Sequence, residues 1–225
     1  KPRTLDFAQA AALPLTALTA WETLFDRLDV NKPVAGGSRT LLLVGGAGGV
    51  GSITVQLLKT LTDIRVIATA SRPQSEVWLR RLGADDVINH RHSLPEQVAA
   101  LGIGAPSWAF STNHSAYYLP QLAELLAPQG RIALIDDPEV LDANPLKSKS
   151  ISLHWEFMFT RALRETSDIA RQGEILAKVA QLVDEGRLHS TATQTIDGIN
   201  AANLRRAHQM VERGDMVGKV VLAGW

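Results

Sequence analysis

Through most of the chain, short apolar segments alternate with longer segments whose apolar positions have helical spacing. The apolar segments are typical of parallel strands buried on both faces; they cover residues 40–46, 64–70, 85–89, 107–112, 131–137 and 150–157. The segments between them predict helices and cover residues 49–61, 73–83, 94–102 and 117–130. The pattern therefore predicts an α/β fold, a doubly wound parallel sheet of six strands in the order 3-2-1-4-5-6 with helices on both faces.

The two ends of the chain depart from this alternation. Residues 6–25 predict two short helices that meet at Pro14, because proline interrupts a helix. Beyond the sheet, the pattern predicts amphipathic helices and strands in turn, at residues 167–187, 191–197, 201–214 and 218–224. We therefore predict one domain over residues 1–165, with the N-terminal helices at its entry, and a C-terminal set of helices and strands over residues 166–225.

A cluster of glycines joins the first predicted strand to the first predicted long helix. Gly46, Gly48 and Gly51 have the spacing G-x-G-x-x-G. Such glycines permit a tight turn, the approach of backbone to a pyrophosphate, and close packing of helix on strand. The pattern therefore predicts a Rossmann dinucleotide site, with phosphates at the helix N-terminus. A P-loop is excluded, because Ser52 stands where the phosphate-binding lysine would be.

The end of the second predicted strand indicates which dinucleotide is bound. NAD sites place Asp or Glu there to hold the ribose hydroxyls, whereas this chain has Ser71 and Arg72. Each charge-assisted hydrogen bond to a 2′-phosphate contributes about 1.5–3 kcal/mol. We therefore predict NADP(H) as the cofactor; the alternative is that Arg72 is a solvated residue at the start of a helix.

Composition excludes several classes of protein. The 225 residues include no cysteine, which excludes disulfides and thiolate metal sites, and the formal net charge is zero. There is no basic surface for nucleic acid, no apolar stretch that spans a bilayer and no signal-peptide pattern. We predict a cytoplasmic protein with a small-molecule substrate and no metal site, and we interpret residues 90–92 as too few ligands for one. Because residue 1 is Lys, we expect further residues before it in the whole protein.

Four segments together resemble the medium-chain dehydrogenase/reductase superfamily. They are AAALPLTALTAWETLF, GGAGGVGSITVQLLK, RRLGADDVINH and GDMVGKVVLAGW. Within the superfamily, the chain is most similar to the quinone oxidoreductase branch and its zinc-type alcohol dehydrogenase-like relatives. The resemblance covers essentially the whole chain and implies a GroES-like catalytic domain ahead of residue 1, to which the C-terminal segments would return.

The resemblance also implies an activity. It implies metal-free hydride transfer from NADPH to a quinone, an enone or a related conjugated carbonyl by the full-length protein, with this part of the chain inactive alone. It further implies a homodimer in which the sixth strand, residues 150–157, pairs with its copy at an edge that would otherwise be exposed.

The resemblance assigns roles to named residues. It places Thr19 near the nicotinamide and His90 on the adenosine side, where relatives often have Tyr, and it carries Lys219 over from the closing GK as a cofactor residue. The remaining residues that it places at the cofactor are Gly46, Ala47, Gly48, Gly49, Val50, Gly51, Ser71, Arg72, Ser111, Thr112, Ile135, Phe157 and Met158.

No catalytic residue is identified from the sequence. The Tyr-x-x-x-Lys pair of short-chain enzymes is excluded, because Gln121 and Leu122 stand four residues after the two tyrosines. We interpret Asp136, Asp137 and Glu156 as solvated carboxylates at strand ends rather than pocket groups. Two alternatives remain open: a zinc-dependent alcohol dehydrogenase, and a non-catalytic nucleotide-binding redox sensor.

Overall fold

A computed structural model describes residues 1–224 as a six-stranded sheet with helices on both faces, followed by a two-stranded sheet. The strands are β1 (Ser38–Val44), β2 (Arg65–Thr69), β3 (Asp86–Ile88), β4 (Pro106–Ser111), β5 (Arg131–Leu134), β6 (Ser152–Trp155), β7 (Ala192–Asp197) and β8 (Lys219–Ala223). The α-helices are α1 (Phe7–Ala11), α2 (Pro14–Trp21), α3 (Gly49–Leu61), α4 (Pro73–Leu82), α5 (Leu94–Ala100), α6 (Ser115–Leu125), α7 (Thr160–Leu163), α8 (Arg171–Asp184) and α9 (Ala201–Glu212). A π-helical segment (Glu22–Arg27) follows α2, and a 3₁₀ helix (Asn144–Lys149) precedes β6.

The large sheet has the predicted strand order. Its strands run β3-β2-β1-β4-β5-β6 and all pair in parallel. The prediction of a doubly wound Rossmann sheet is confirmed. The direction of winding reverses between β1 and β4, and ligands of such sheets bind in the crevice at the carboxyl ends of those strands.

Strand β1 shows why the predicted strands are apolar at nearly every position. Leu41 and Leu43 pack into the core on one face of the sheet, whereas Leu42 and Val44 pack into the core on the other. All four are buried. Because helices cover both faces, the side chains on both faces of this strand are buried.

The helices that precede the sheet follow their sequence signals. Asp6 caps α1 through a capping box with Gln9, and Pro14 occupies the first turn of α2. The two predicted helices therefore meet at Pro14. The sequence did not predict the π-helical segment after α2, where the amide of Leu28 donates to the carbonyl of Thr23, five residues earlier, at 2.8 Å.

The C-terminal elements attach to the sheet in two ways. Helix α8 contributes Ile175, Val179 and Leu182 to one of the two large cores. Strands β7 and β8 pair in parallel, and with α9 they enclose a small separate core. The amide of Gly218 donates to the carbonyl of Ala47 at 2.8 Å, which docks the start of β8 on the glycine turn. The division at residue 165 stays a prediction.

None of the helices described for residues 1–224 is both long and apolar enough to cross a membrane.

Candidate cofactor site

A crevice of about 140 Å³ lies at the carboxyl ends of β1, β2 and β4. It is the place where the sheet topology predicts a ligand. Residues predicted from the glycine motif, from the end of the second strand and from the family resemblance line it together: Ala47, Gly48, Ser71, Arg72, His90 and Thr112. Gly214 and Met216, from the loop between α9 and β8, also line it, and the sequence analysis did not predict them.

The three motif glycines have different packing requirements. A Cβ on Gly51 would lie 2.4 Å from the carbonyl oxygen of Gly46, and one on Gly46 would lie 2.9 Å from the Cβ of Ala68. A Cβ on Gly48 would meet only the carbonyl oxygen of Gly45, at 3.5 Å, which is an ordinary contact. Because Gly48 has a φ of −71°, its backbone also accepts any residue. No atom of residues 1–224 requires glycine at position 48, so the open space there fits a ligand that approaches the backbone.

Helix α3 begins at this turn without a side-chain cap. Gly48 is its N-cap residue and forms no capping hydrogen bond. The first amides of a helix have no partner within it, and the helix dipole adds positive potential at that end. The turn therefore offers N–H donors to an anion such as a pyrophosphate.

Lys219 and α2 approach the same turn. A Cβ on Gly49 would lie 2.5 Å from Cδ of Lys219 and 3.2 Å from Cγ2 of Thr16, so both side chains pass close to this glycine. Thr19 lies one turn later on α2, where its hydroxyl donates to the carbonyl of Leu15 at 2.9 Å. The structure thus brings Lys219 to the turn and shows Thr16 there as well.

Arg72 occupies the other end of the crevice. Its Nη1 lies 3.9 Å from Oδ2 of Asp215, and both side chains are substantially exposed, 38% and 54%. Such an exposed ion pair contributes little to stability. The guanidinium therefore lines the crevice with only a weak partner, and an anionic ligand can compete for it.

His90 lies beside Arg72 in a partly buried position. Burial lowers the pKa of His90, and the charges of Arg91, Arg72 and His114 lower it further. The imidazole is therefore neutral at pH 7, which suits an aromatic contact or a hydrogen bond better than a charge contact.

The end of β4 is fixed by internal hydrogen bonds. Ser111 is fully buried; its hydroxyl oxygen lies 3.2 Å from the carbonyl oxygen of Asn113 and 2.9 Å from the hydroxyl oxygen of Ser115. The hydroxyl of Thr112 donates to the carbonyl of Val44 at 3.0 Å. Thr112 lines the crevice, whereas the Ser111 side chain lies in the interior.

The ends of β5 and β6 form the half of the site expected to hold the nicotinamide. Ile135 packs on the core just after β5, and Met158 packs on it after β6. Phe157 and Phe159 are about half exposed, 56% and 45%, with ring centroids 5.4 Å apart. An apolar wall therefore follows the end of β6.

The carboxylates at these strand ends do not behave alike. Asp136 caps α6, because it accepts hydrogen bonds from the amide of Ser115 at 2.9 Å and from the Ser115 hydroxyl. The Glu156 side chain is fully buried, and its Oε2 accepts from Nε of Arg27 at 2.8 Å. The interpretation of Glu156 as solvated is wrong, because the π-helical segment covers the end of β6.

Burial raises the pKa of Glu156 to about 7. Arg27 opposes this rise through its charge, whereas the carboxyl group of Glu22 adds to it through its own charge and a hydrogen bond. The Glu156 carboxyl is therefore partly protonated near neutral pH. No signal in the sequence relates Glu22 to Glu156, since they lie on elements far apart in the chain.

Within residues 1–224, no three His, Asp or Glu side chains converge in a way that would hold a metal ion. The metal content of the whole protein stays a prediction.

The fold is that of the nicotinamide-dependent dehydrogenases and reductases. The sequence model of a family described as zinc-binding dehydrogenase matches residues 82–222, so the chain belongs to this family, within the medium-chain dehydrogenase/reductase superfamily that the sequence resembles.

Three similar proteins illustrate the relationship. A zinc-type alcohol dehydrogenase-like protein of Staphylococcus epidermidis is 40% identical over 223 residues, which are 98% of this chain and 66% of the relative. The crystal structure of a putative zinc-dependent alcohol dehydrogenase protein from Rhizobium etli is 55% identical, with a TM-score of 0.98 over 100% of this chain and 66% of that one. The mitochondrial NAD(P)H oxidoreductase RTN4IP1 of Homo sapiens is 31% identical over 99% of this chain and 57% of its own length. The chain thus spans 66% of the length of the staphylococcal relative.

Proposed function

We propose that the chain forms the cofactor-binding part of an NADPH-dependent oxidoreductase of the quinone reductase type. The whole protein would transfer hydride, without a metal, to a quinone, an enone or a related conjugated carbonyl. One observation carries the proposal: the open backbone at Gly48 and the weakly paired guanidinium of Arg72 line the same crevice.

The residues of the crevice fit the parts of NADPH. The uncapped start of α3 and the bare backbone at Gly48 suit a pyrophosphate. Ser71 and Arg72 follow β2 where NAD sites have an acidic residue, so they suit a 2′-phosphate. The phosphate would replace Asp215 as the partner of Arg72. The neutral imidazole of His90 suits the adenosine beside that phosphate.

When bound, the cofactor supplies a hydride. The chain's own residues would orient it: the glycine turn and Arg72 fix the phosphates, while Ile135, Phe157 and Met158 provide an apolar wall that excludes water on the nicotinamide side. The remaining wall of the substrate pocket belongs to parts of the protein outside this chain, and we propose that the isolated chain binds cofactor without turnover.

Two rival functions have different support. The names of the staphylococcal and Rhizobium relatives favour a zinc-dependent alcohol dehydrogenase. A redox sensor would use the same crevice without turnover. Zinc content and steady-state turnover of the full-length protein with quinones, enones and primary alcohols distinguish the three.

We also propose that the whole protein is a cytoplasmic homodimer joined through β6. This strand is the last of the large sheet, and it leaves one edge unpaired in the described chain. An exposed strand edge of this kind is normally covered.

Calorimetric titration with NADPH and NADH tests the cofactor. We expect the chain to bind NADPH at least about tenfold more tightly, because a charge-assisted hydrogen bond to the 2′-phosphate contributes about 1.5–3 kcal/mol. Arg72→Ala removes this preference and leaves NADH affinity unchanged. The control is Arg171→Ala, which removes an exposed arginine that pairs only with Glu174. Equal affinities, a preference for NADH, or no binding of either cofactor contradicts the proposal.

A further inference from the structure

A buried charged cluster lies next to the apolar wall after β6. At its centre is Arg161 on α7, whose side chain is only 10% exposed. Nη1 lies 2.7 Å from Oε1 of Glu22 as a charge contact, and Nη2 and Nε donate to Asp26 and Asp168, each at 2.9 Å. We call Glu22, Asp26, Arg161, Asp168 and Gln172 the Arg161 cluster.

Gln172 connects the cluster to the backbone of the wall. Its Nε2 donates to the carbonyl oxygen of Met158 at 2.6 Å and to Oε1 of Glu22 at 2.9 Å. The residue that precedes the wall is held separately, because Glu156 accepts from Arg27 at 2.8 Å. The segment 157–159 is thus tied to the π-helical segment on one side and to the start of α8 on the other.

Stability alone does not account for this cluster. Glu22 and Arg161 are removed from water, which costs several kcal/mol for each ion, and well-packed apolar residues in the same space are commonly as stable or more so (about 1–4 kcal/mol). A buried ionic network does fix one geometry of the groups it joins. The geometry fixed here is that of residues 157–159.

The cluster also holds more acid than base. With the adjacent pair of Glu156 and Arg27, four carboxyl groups, those of Glu22, Asp26, Glu156 and Asp168, lie beside two guanidinium groups, those of Arg27 and Arg161. A proton on Glu156 reduces this imbalance. Burial lowers the pKa of the neighbouring His154, as do Arg131 and Arg27, so this histidine adds no positive charge at neutral pH.

We propose that Arg161 and Gln172 are positioning residues that hold the segment 157–159 against the nicotinamide half of the cofactor. The inference rests on the proposed function, since it concerns the other half of the same site. Loss of the proton on the buried Glu156, which lies beside the cluster and directly before the segment, leaves a second uncompensated negative charge there and loosens the segment. The nicotinamide half of the site is therefore less well formed at alkaline pH than at pH 6.

Binding of two ligands separates a positioning role at the nicotinamide half from a general effect on the fold. NADPH reports on both halves of the site, whereas 2′,5′-ADP contains only the adenosine half with its phosphates. For Gln172→Met, which keeps the size of the side chain and removes both hydrogen bonds, we expect NADPH affinity to fall about tenfold, which is about 1.4 kcal/mol. The affinity for 2′,5′-ADP stays within about twofold. We expect Arg161→Gln to lower NADPH affinity further, with the affinity for 2′,5′-ADP again unchanged. Arg161→Lys restores part of the NADPH affinity.

The pH profile supplies a second measurement. The 5′-phosphate of 2′,5′-ADP titrates between pH 6 and pH 8, whereas the pyrophosphate of NADPH does not, so the ratio of the two affinities is compared with that of Glu156→Gln at each pH, which cancels the titration of the ligands. From pH 6 to pH 8 the ratio for the wild-type chain shifts against NADPH relative to Glu156→Gln, which retains a hydrogen-bonding group without the charge.

The control variant is Arg171→Ala, which lies next to Gln172 but outside the cluster. If Arg161→Gln does not fold, as judged by circular dichroism, Gln172→Met decides the matter. Equal losses of NADPH and 2′,5′-ADP, or no loss of either, overturn the positioning role while the proposed function stands. If the wild-type chain binds 2′,5′-ADP but not NADPH, or binds neither, the positioning role and the proposed cofactor fail together.

Discussion

Gly48 and Gly51 are glycines for different reasons. At position 51 the chain itself excludes a side chain, since a Cβ would lie 2.4 Å from a backbone oxygen. At position 48 the nearest atom is 3.5 Å away. Gly51 is required by the packing of helix on strand, whereas Gly48 leaves room for a ligand that approaches the turn from outside.

The two substitutions to alanine are expected to separate these roles. Gly48→Ala changes the free energy of unfolding by no more than about 1 kcal/mol, the size of an N-cap effect, but weakens NADPH binding by more than about tenfold, because the Cβ occupies the approach to the backbone. Gly51→Ala destabilises the fold by about 3 kcal/mol or more, since backbone atoms must move. Urea denaturation and calorimetry measure the two effects.

Gly173→Ala provides the control for these substitutions. Gly173 lies in α8 with nothing within 4 Å of an added Cβ. Alanine there stabilises the helix by about 0.5–1 kcal/mol and leaves binding unchanged. If Gly48→Ala binds NADPH as tightly as the wild type, no pyrophosphate approaches that backbone.

The buried carboxyl of Glu156 makes stability depend on pH. Its pKa is about 7 in the folded chain, against an ordinary value of 4.5, so the folded state holds more protons than the unfolded state between those values. Stability therefore falls as the pH rises from about 4.5 to 7, by about 3 kcal/mol in total. We expect Glu156→Gln to remove this dependence, measured as the difference in unfolding free energy between variant and wild type at each pH.

The difference is needed because other groups titrate in the same range. Burial lowers the pKa values of His90 and His154, so these residues make stability rise with pH above their folded pKa values. Glu156→Gln and the wild type both retain His90 and His154, so their effects cancel in the difference. A difference between Glu156→Gln and wild type that does not change with pH contradicts the buried position of this carboxyl.

At the residue scale, local chemistry could be predicted and long-range burial could not. The glycine spacing and the absence of an acid beside Arg72 are visible within a few residues of sequence. The contacts of Arg72 with Asp215 and of Glu156 with Arg27 join residues from distant elements. Sequence alone predicts that a carboxylate at a strand end is solvated, because the element that buries it lies far away in the chain.

At the scale of elements, the elements that could be predicted were those in which apolar residues recur at a regular spacing. Helix α3 begins and ends where its pattern indicates, at Gly49 and Leu61, because an uninterrupted apolar pattern and a glycine boundary agree. The π-helical segment Glu22–Arg27 escapes such reasoning, since a single turn with one extra residue leaves no repeated spacing. That segment carries Glu22, Asp26 and Arg27 to the end of β6.

The docking of β8 on the glycine turn makes a prediction for the small sheet. Gly218 has a φ of +63°, and a Cβ there would lie 2.4 Å from the carbonyl oxygen of Thr191. Gly218→Ala therefore breaks the contact of β8 with Ala47, and we expect the amides of residues 218 and 219 to exchange with deuterium at least about tenfold faster. Hydrogen exchange with mass spectrometry measures this.

Gly214→Ala is the matched control for strain. Gly214 has a similar φ of +67° with nothing within 4 Å of an added Cβ, so it carries the backbone cost without the clash. If the amides of residues 218 and 219 exchange equally fast in Gly218→Ala and Gly214→Ala, or in Gly218→Ala and the wild type, Gly218 has no role in docking β8.

At the scale of the whole molecule, chain connectivity made the strand order predictable. Short strands joined by helices allow few arrangements, because the crossovers are right-handed and the helices must cover both faces. The position of the small sheet was not predictable in this way, since it docks through Gly218, at the start of β8, on a turn about 170 residues earlier in the chain. The glycine turn could therefore be assigned from sequence, but not the residues that cover it.

The proposed dimer is tested at the open edge of the large sheet. The amides of Ser152 and Glu156 donate toward the β5 side, so the amides of Leu153 and Trp155 face the open edge. We expect the full-length protein to sediment as a dimer and Trp155→Pro, which removes one outward amide, to sediment as a monomer. Trp155→Ala controls for loss of the ring, which is 49% exposed. A wild-type monomer, or a proline variant that remains dimeric, contradicts pairing through this edge.

The contact between Gly218 and Ala47 has a consequence for biosynthesis. The glycine turn leaves the ribosome early, whereas the loop and strand that complete the crevice follow all six strands of the large sheet. A nascent chain can therefore form the six-stranded sheet before the crevice gains Gly214 and Met216, because contacts across so long a loop give no stabilisation until both ends are present. On the proposed function, the cofactor would protect the complete chain more than one truncated before β8, and proteases would cleave the truncated chain faster.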